Sequence, residues 1–137
     1  ADYGPQLAGM VDGGRATGPL DLYGALMAAE RIKGRMAQMF SAVDMLLLPV
    51  FTGVVPDVGE QERKMLENPA EGMSLLPLTL AFNIAGLPTV TFPAGAHTDG
   101  MPFAAQLAGA AWSEAQLLKT APRFQSTSDW HLRRPPI

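Results

Sequence analysis

Apolar side chains recur at steps of three and four residues through the first third of the chain. From Leu20 to about Val43 they alternate with charged residues, which gives one apolar and one polar helical face. The segment is therefore predicted to be an amphipathic helix. Pro19 suits the first turn of this helix, and Thr17 is a candidate for its N-terminal cap.

Shorter apolar runs predict two strands with a second helix between them. Residues 45–48 are uniformly apolar and end at Pro49, which is typical of a strand buried on both faces. Residues 76–85 are predicted to be helical and to stop at Gly86. Residues 89–92 combine β-branched and aromatic side chains, as strands do.

A hairpin and a crossover complete the predicted sheet. Asp99-Gly100 favours a tight turn, so residues 103–107 are expected to return antiparallel to residues 89–92. The strand at residues 45–48 would join this hairpin through a helical crossover. The sequence thus predicts an α/β fold, with a small mixed sheet covered by helices.

Two glycine- and proline-rich stretches are predicted to be loops. Residues 1–18 hold five glycines and read as a loop-rich N-terminal stretch, with a short helical turn around residues 6–11 left open. Residues 50–75 read as a long loop, with one or two helical turns in the charged patch 60–67. Because so long a loop is unusual inside a compact domain, it is expected to bind a ligand or to be covered by other protein.

Composition narrows the class of protein. A chain of 137 residues, 47% of them apolar and 17% charged, is expected to form one ordered domain. The low charged fraction favours burial against other protein on more than one side. A net charge of −3 and the lack of a long apolar run predict neither a nucleic-acid nor a membrane partner. The absence of cysteine excludes a thiolate nucleophile and fits a cytoplasmic protein.

No serine stands in a context that predicts catalysis. A nucleophile needs a base within reach, and no serine here lies in a glycine-rich turn or beside another serine. The serines are Ser41, Ser74, Ser113, Ser126 and Ser128.

Signals for a bound metal are equally weak. His97 and His131 lie in unrelated segments, so the ligand spacing of a zinc site is absent. Asp57, Glu60 and Glu62 leave an oxygen-ligated ion open, but a solvated acidic loop is the favoured interpretation. No metal and no other cofactor is therefore predicted.

The stretch from Leu78 to Gly109 is the most specific motif of the chain. It reads LTLAFNIAGLPTVTFPAGAHTDGMPFAAQLAG, with the spacing T-x-x-x-N-x-x-G-x-P, then P-A-G, then G-x-P-x-x-x-Q. This pattern resembles the C-terminal signature of the amidase signature family of amide hydrolases. The upstream segment FSAVDMLLLP, residues 40–49, resembles the family's helix, aspartate and apolar strand, so the resemblance covers most of the chain from about Leu20.

The resemblance implies a catalytic set that this chain does not contain. Family members use a core lysine and two serines, one of them the nucleophile in a glycine- and serine-rich loop upstream of the matched region. Lys33, Lys64 and Lys119 lie in contexts unlike the family's lysine, so no catalytic residue is assigned. Thr79 matches a family threonine near the pocket and is the substrate-binding candidate, with a plain position on the helix surface as the alternative.

Two further matched positions are expected to be structural. Asn83 would hydrogen-bond the nearby turn, and Gln106 would be a buried hydrogen-bonding strut rather than a substrate ligand. The loop at residues 50–75 would border the substrate entrance, where its apolar side chains form either a lip or part of the core. These side chains are Phe51, Val54, Val55, Met65 and Met73.

The resemblance implies that residues 1–137 are a single partial domain, the C-terminal segment of an amidase. Such an enzyme hydrolyses the carbon–nitrogen bond of a small amide through a serine acyl-enzyme without a cofactor, and this segment is not expected to be active alone. Its partner would be the missing N-terminal part of the same fold or a separate chain, with a homo-oligomer left open. The alternatives are a non-catalytic binding or structural module, a split component of a larger enzyme, or a piece of the glutamine-cleaving chain of an amidotransferase.

Overall fold

The structure is a computed structural model that describes residues 4–98 and 100–134. Six α-helices, three strands and one short 3₁₀ turn follow one another in this part of the chain. In chain order they are α1 (Pro5–Ala16), α2 (Pro19–Phe40), β1 (Met45–Pro49), α3 (Val58–Glu67), α4 (Pro69–Gly72), α5 (Pro77–Ala85), β2 (Thr89–Ala96), β3 (Pro102–Gly109), α6 (Glu114–Gln125) and the 3₁₀ turn Trp130–Leu132.

The three strands form one sheet in the order β1–β3–β2. β2 and β3 are antiparallel neighbours, as the predicted hairpin requires. β1 pairs with the other side of β3, and α3, α4 and α5 connect β1 to β2. The α/β class is confirmed. The sheet differs from the predicted mixed one, because both strand pairs in the described residues are antiparallel. Asp99 of the predicted turn lies outside the described residues; Gly100, next to it, has a φ of 86°.

The end of α5 sets the start of the hairpin. Gly86 takes the left-handed conformation, with a φ of 67°, and its N–H donates to the Asn83 carbonyl at 3.2 Å. The N–H of Leu87 donates to the Phe82 carbonyl at 3.1 Å, so the last turn of the helix is closed. Glycine adopts this conformation without strain, and the predicted helix stop at Gly86 is confirmed.

Two predicted loops contain helices instead. The N-terminal stretch forms α1, with a proline in its first turn and Arg15 in its last. The long loop at residues 50–75 holds α3 and α4. On α3 the Glu60–Lys64 and Arg63–Glu67 pairs, at 2.8 and 2.7 Å, join residues one helical turn apart. The loop prediction was wrong for the N-terminal stretch. In residues 50–75 the helical turns predicted at 60–67 are present as part of α3, whereas α4 was not predicted.

The helix α2 begins one residue later than a Thr17 cap would require. Gly18 is its N-cap, and the Thr17 hydroxyl donates instead to the Gly13 carbonyl of α1 at 3.1 Å. None of the helices in the described ranges combines the length and the apolar character needed to cross a bilayer.

The core lies on one face of the sheet, beneath α6. Phe92 of β2, Ala105 of β3 and Ala121 of α6 are buried together, and the rings of Phe92 and Phe124 are 4.9 Å apart. Side chains alternate between the two faces of a strand, so Gln106, next to Ala105, lies on the opposite face. This core holds α6 on β2 and β3.

The sequence predicts that β1 is buried on both faces, and this prediction is wrong. It lies at the edge of the sheet, and its Leu47 side chain is 66% exposed. Leu47 pairs with Leu107 and so points to the face that α6 covers over β2 and β3. Because α6 does not extend over β1, this side chain stays uncovered within the described residues.

Candidate functional site

Thr79 lies in the first turn of α5 and is partly buried. Its hydroxyl donates to the Leu76 carbonyl at 3.1 Å, and its N–H donates to the same carbonyl at 3.0 Å. The hydroxyl proton is therefore used inside the helix, while the lone pairs of the oxygen can accept a hydrogen bond from a ligand. This arrangement suits an acceptor for an N–H or O–H group better than a donor.

Asn83 lies one helical turn after Thr79, on the same side of α5. Its backbone carbonyl accepts from Gly86 at the helix end, which agrees with a role in the turn. Its side chain is exposed and, within residues 4–98 and 100–134, makes no hydrogen bond. Thr79 and Asn83 thus present one polar strip on an otherwise apolar helix.

A small apolar pocket opens at the N-terminal end of α5. It has a volume of about 260 Å³ and is lined by Phe51, Val55, Leu75 and Leu76, among others. Leu76 is the residue whose carbonyl holds the Thr79 hydroxyl. The pocket combines two of the predicted lip residues with two leucines that the sequence analysis did not single out. We name it the Phe51 pocket.

The remaining lip residues have other positions. Val54 is 54% exposed, and Met65 packs against Gly72, where an added Cβ would lie 2.9 Å from Met65 Cγ. Met65 and Met73 line a separate pocket with residues of α1. The predicted lip is therefore divided between two pockets.

Gln106 occupies the middle of the central strand. Its side chain is fully buried, as predicted, between its cross-strand neighbours Leu48 and Thr91. The predicted hydrogen bonds are missing, because neither Oε1 nor Nε2 has a partner among the described residues. No hydrogen bond links Gln106 to Thr79 or Asn83 within this part of the chain.

The serine hydroxyls are used locally. Four of them donate to backbone carbonyls three or four residues earlier, at 2.7 to 3.5 Å. A nucleophilic serine instead needs its proton directed at a base. The four bonds are Ser41 to Gln38, Ser113 to Ala110, Ser126 to Arg123 and Ser128 to Phe124.

Neither histidine lines the Phe51 pocket, whereas Glu62 of the acidic patch does. His97 meets the edge of the Phe103 ring, with centroids 5.8 Å apart, and the Nδ1 atom of His131 is buried without a partner in the described chain. The side-chain hydrogen bond with Lys64, and then its charge, lowers the pKa of Glu60; the same bond raises the pKa of Lys64. Within residues 4–98 and 100–134, no three His, Cys, Asp or Glu residues are grouped as metal ligands.

A second, more open cavity lies on the α6 face of the sheet, between β1 and α6. Its volume is about 580 Å³, and its lining is mostly apolar. Leu47, Phe103 and Leu107 contribute from the strands, and Phe124 and Arg123 contribute from α6. We name it the β1–α6 groove.

A family model described as Amidase matches residues 15–118, well over half of the chain. The match includes α2, β1, the Phe51 pocket, α5 and the hairpin. The chain belongs to the amidase family. The resemblance seen in the sequence motif is thereby confirmed.

Several relatives of this amidase-family chain are much longer than the chain itself. The glutamyl-tRNA(Gln) amidotransferase A-subunit of Neisseria meningitidis is 38% identical over 96 residues, which are 70% of this chain and 19% of the relative. Putative amidase AmiD of Mycobacterium tuberculosis is 28% identical over 136 residues, which are 99% of this chain and 28% of the relative. The chain therefore matches 19% to 28% of the length of these relatives.

Solved structures show the same fold. A 6-aminohexanoate cyclic dimer hydrolase superimposes with a TM-score of 0.79 at 23% identity, covering 98% of this chain and 30% of that one. A second structure, of an amidase, gives a TM-score of 0.75 at 24% identity, with 91% and 29% covered. The architecture described above is that of one part of an amidase fold.

Proposed function

We propose that this chain is the C-terminal segment of an amidase that hydrolyses a carbon–nitrogen bond through a serine acyl-enzyme. The observation that supports this most directly is the family match over residues 15–118, in a chain that spans less than a third of its relatives. The catalytic lysine and serines of the family belong to the part of the fold that these residues do not include.

The hydrogen bonds of the serines also support a catalytic site outside this segment. Each of the four serine hydroxyls described above is committed to a backbone carbonyl, and none donates to a lysine or a histidine. Acylation of a serine requires removal of its proton by a base. This segment therefore supports a catalytic site that is built elsewhere in the fold.

We propose that the segment contributes a wall of the substrate site. The Phe51 pocket offers an apolar surface for the carbon part of a small amide, and the Thr79 oxygen next to it offers a hydrogen-bond acceptor. Small-molecule sites commonly combine such an apolar lining with a few fixed polar groups. Thr79 is thus the proposed substrate-binding residue, and no cofactor is needed for this role.

Covalent labelling of the nucleophile tests the proposal. The native polypeptide that contains these residues would be treated with a fluorophosphonate probe, digested, and mapped by mass spectrometry. We expect hydrolysis of a small amide to stop with labelling and the adduct to lie outside residues 1–137. An adduct on any serine within these residues would overturn the proposal. Hydrolytic activity that survives complete labelling would do the same.

A second candidate is the glutaminyl amide chemistry of a glutamyl-tRNA(Gln) amidotransferase. It is favoured by the relatives from Neisseria meningitidis and Aromatoleum aromaticum, which at 38% and 36% identity are more similar to this chain than AmiD is. Release of ammonia from glutamine, compared with hydrolysis of simple aliphatic and aryl amides, separates the two. A native protein that cleaves none of these amides and takes no label would instead be a non-catalytic member of the fold.

A further inference from the structure

The side chains that line the Phe51 pocket carry one negative charge and no positive charge. Most of the described lining residues are apolar, and the two polar ones are Gln61 and Glu62 of α3. The Nε2 atom of Gln61 donates to the Gly72 carbonyl at 2.8 Å, which leaves its Oε1 atom to accept a hydrogen bond. No lysine, arginine or histidine is among the lining residues that the structure describes. The pocket is therefore suited to a ligand that donates hydrogen bonds.

Glu62 has no ionic partner in the part of the chain that the structure describes. Its neighbours on α3 pair with one another, Glu60 with Lys64 at 2.8 Å and Arg63 with Glu67 at 2.7 Å. Both basic residues of the helix are thus engaged. The exposed Glu62 carboxylate keeps its charge uncompensated beside an apolar lining.

The start of α3 adds a second negative charge next to the pocket. Asp57 is the N-cap of α3, between the lining residues Pro56 and Val58, and its side chain makes no capping hydrogen bond. The N-terminal end of a helix carries about half a positive charge, which by itself favours an anion. The full negative charge of Asp57 is larger, and Glu62, one helical turn after Val58, adds to it. The electrostatic balance at the pocket therefore favours a cation.

The size of the pocket restricts the ligand to a short chain. Its volume of about 260 Å³ is just below the roughly 300 to 1,000 Å³ of sites for drug-sized ligands. Lysine and arginine side chains lay their apolar stems along apolar surface and keep their charged ends in water. A short alkyl chain with a cationic end would likewise place its stem against Phe51 and Leu76 and its charge at the exposed Glu62.

We propose that the Phe51 pocket selects amides whose carbon chain ends in a positive charge, and that Glu62 determines this specificity. The apolar stem of the substrate packs on the pocket lining, its cationic end pairs with the Glu62 carboxylate, and its amide group lies towards Thr79. This inference rests on the proposed function, because it assigns a substrate class to the same site.

A pair of substrates tests the charge preference in the native polypeptide that contains these residues. Hexanamide and 5-aminopentanamide have chains of equal length and differ in a terminal methyl or ammonium group. We expect kcat/KM to be higher for the amine, and Glu62→Gln to lower the ratio of the two values about 2- to 5-fold, the size of an exposed ion pair. Raising the ionic strength to about 1 M should lower the ratio in the parent protein. A ratio that Glu62→Gln leaves unchanged would overturn the proposal.

Glu67 provides the matched control on the same helix. It is exposed but does not line the pocket, and the exposed pair with Arg63 that Glu67→Gln removes contributes little. This variant makes the same change in net charge and should keep the ratio of the parent protein. An equal fall in both glutamine variants would show that net charge alone attracts the amine, and would contradict the role of Glu62.

Charge reversal gives a second test of the same residue. In Glu62→Lys we expect the preference to move from 5-aminopentanamide to adipamate, a monoamide that ends in a carboxylate. Glu62→Lys that still prefers the amine would overturn the proposal. A lower melting temperature in Glu62→Gln with an unchanged ratio would assign Glu62 to an ion pair with another part of the protein, and would overturn it too.

The outcomes separate this inference from the proposed function. Equal kcat/KM values for the two amides in the parent protein would keep the amidase and remove the charge preference. For a protein that cleaves other amides but neither of these, pentylammonium should inhibit more strongly than 1-pentanol in the parent and not in Glu62→Gln. Equal inhibition in the parent would overturn the inference alone. A native protein that hydrolyses no amide would overturn the proposed function and this inference with it.

Discussion

At the scale of single residues, Thr79 is the position where a small change is most informative. Its oxygen can accept a hydrogen bond while its proton stays with the Leu76 carbonyl. We expect Thr79→Val in the native enzyme to raise KM about 2- to 10-fold, the equivalent of one lost hydrogen bond of about 0.5 to 1.5 kcal/mol. Because the contact is with the ground state and the transition state alike, kcat should change little. Steady-state kinetics on the preferred amide measure both.

Thr17 provides the control for this substitution. Its hydroxyl also donates to a backbone carbonyl within the helix, that of Gly13, at the same 3.1 Å, but it lies far from α5 in the sequence. Thr17→Val should leave KM at the wild-type value. A KM that is unchanged in Thr79→Val would show that Thr79 is a helix-surface residue without a role in substrate binding.

Gln106 presents the opposite situation, a polar group whose burial is unfavourable. Both amide atoms are buried without a partner in the described chain, and such a group costs about 1 to 3 kcal/mol. Gln106→Met keeps the length of the side chain and removes the unpaired groups. We expect the free energy of unfolding to rise by about 1 kcal/mol, as measured by urea denaturation.

An exposed glutamine serves as the reference for Gln106→Met. Gln116 lies on the outer side of α6, and Gln116→Met should change stability by less than about 0.5 kcal/mol. A loss of stability in Gln106→Met would show that the amide is bonded to a buried water or to another part of the protein. Sequence alone predicted the burial of Gln106 but not that its amide lacks hydrogen-bond partners in the described chain. The positions of such partners are set by tertiary packing.

At the scale of elements, α3 owes part of its stability to a titratable pair. The hydrogen bond with Lys64, which is stronger than the charge effect, lowers the pKa of Glu60 below its ordinary 4.5, and the bond with Glu60 raises the pKa of Lys64 above 10.5. The contribution of Glu60 is present above pH 4.5 and is lost as the pH falls through its lowered pKa. The contribution of Lys64 is present below pH 10.5 and is lost as the pH rises through its raised pKa.

This pair predicts the response of Glu60 to substitution. In the folded protein, an NMR titration of the Glu60 carboxyl should give a pKa below 4.5, and Lys64→Gln should return it to its ordinary value. Arg63 contributes only a minor charge effect on Glu60, so Arg63→Gln should move the pKa much less. A pKa in Lys64→Gln that stays as low as in the parent protein would show that the ion pair is not the cause.

The elements differ in how well local sequence predicts them. α2, α5 and the hairpin were predicted because period, glycine stop and β-branched content all agree there. α1 was missed because its glycines lower intrinsic helix propensity. Only one or two turns of α3 were predicted, because the i,i+4 pairs that stabilise this helix are each weak signals. β1 was identified as a strand, but its edge position depends on where β3 and α6 pack, which no local pattern contains.

At the scale of the whole molecule, the chain buries too little of its apolar surface to be compact alone. α2 has no buried residue, and Leu20 and Tyr23 on it are 86% and 61% exposed. We expect the isolated 137-residue chain to bind the dye ANS strongly at neutral pH, since ANS reports exposed apolar surface. The native protein, measured at equal molar concentration, should bind much less. Equal dye binding would contradict the idea that further protein covers these faces.

The strand order β1–β3–β2 also determines when β1 can find its partner strand during synthesis. Met45 pairs with Gly109, so β1 leaves the ribosome long before the strand that holds it. At about 5 to 20 residues per second, roughly 3 to 13 s separate the two. During that interval three consecutive leucines have no partner strand, although α1 to α5 and β2 are all synthesised before β3 is complete. We therefore expect a nascent chain of this kind to bind a chaperone at the tunnel exit, and a pause between β1 and β3 to prolong that binding.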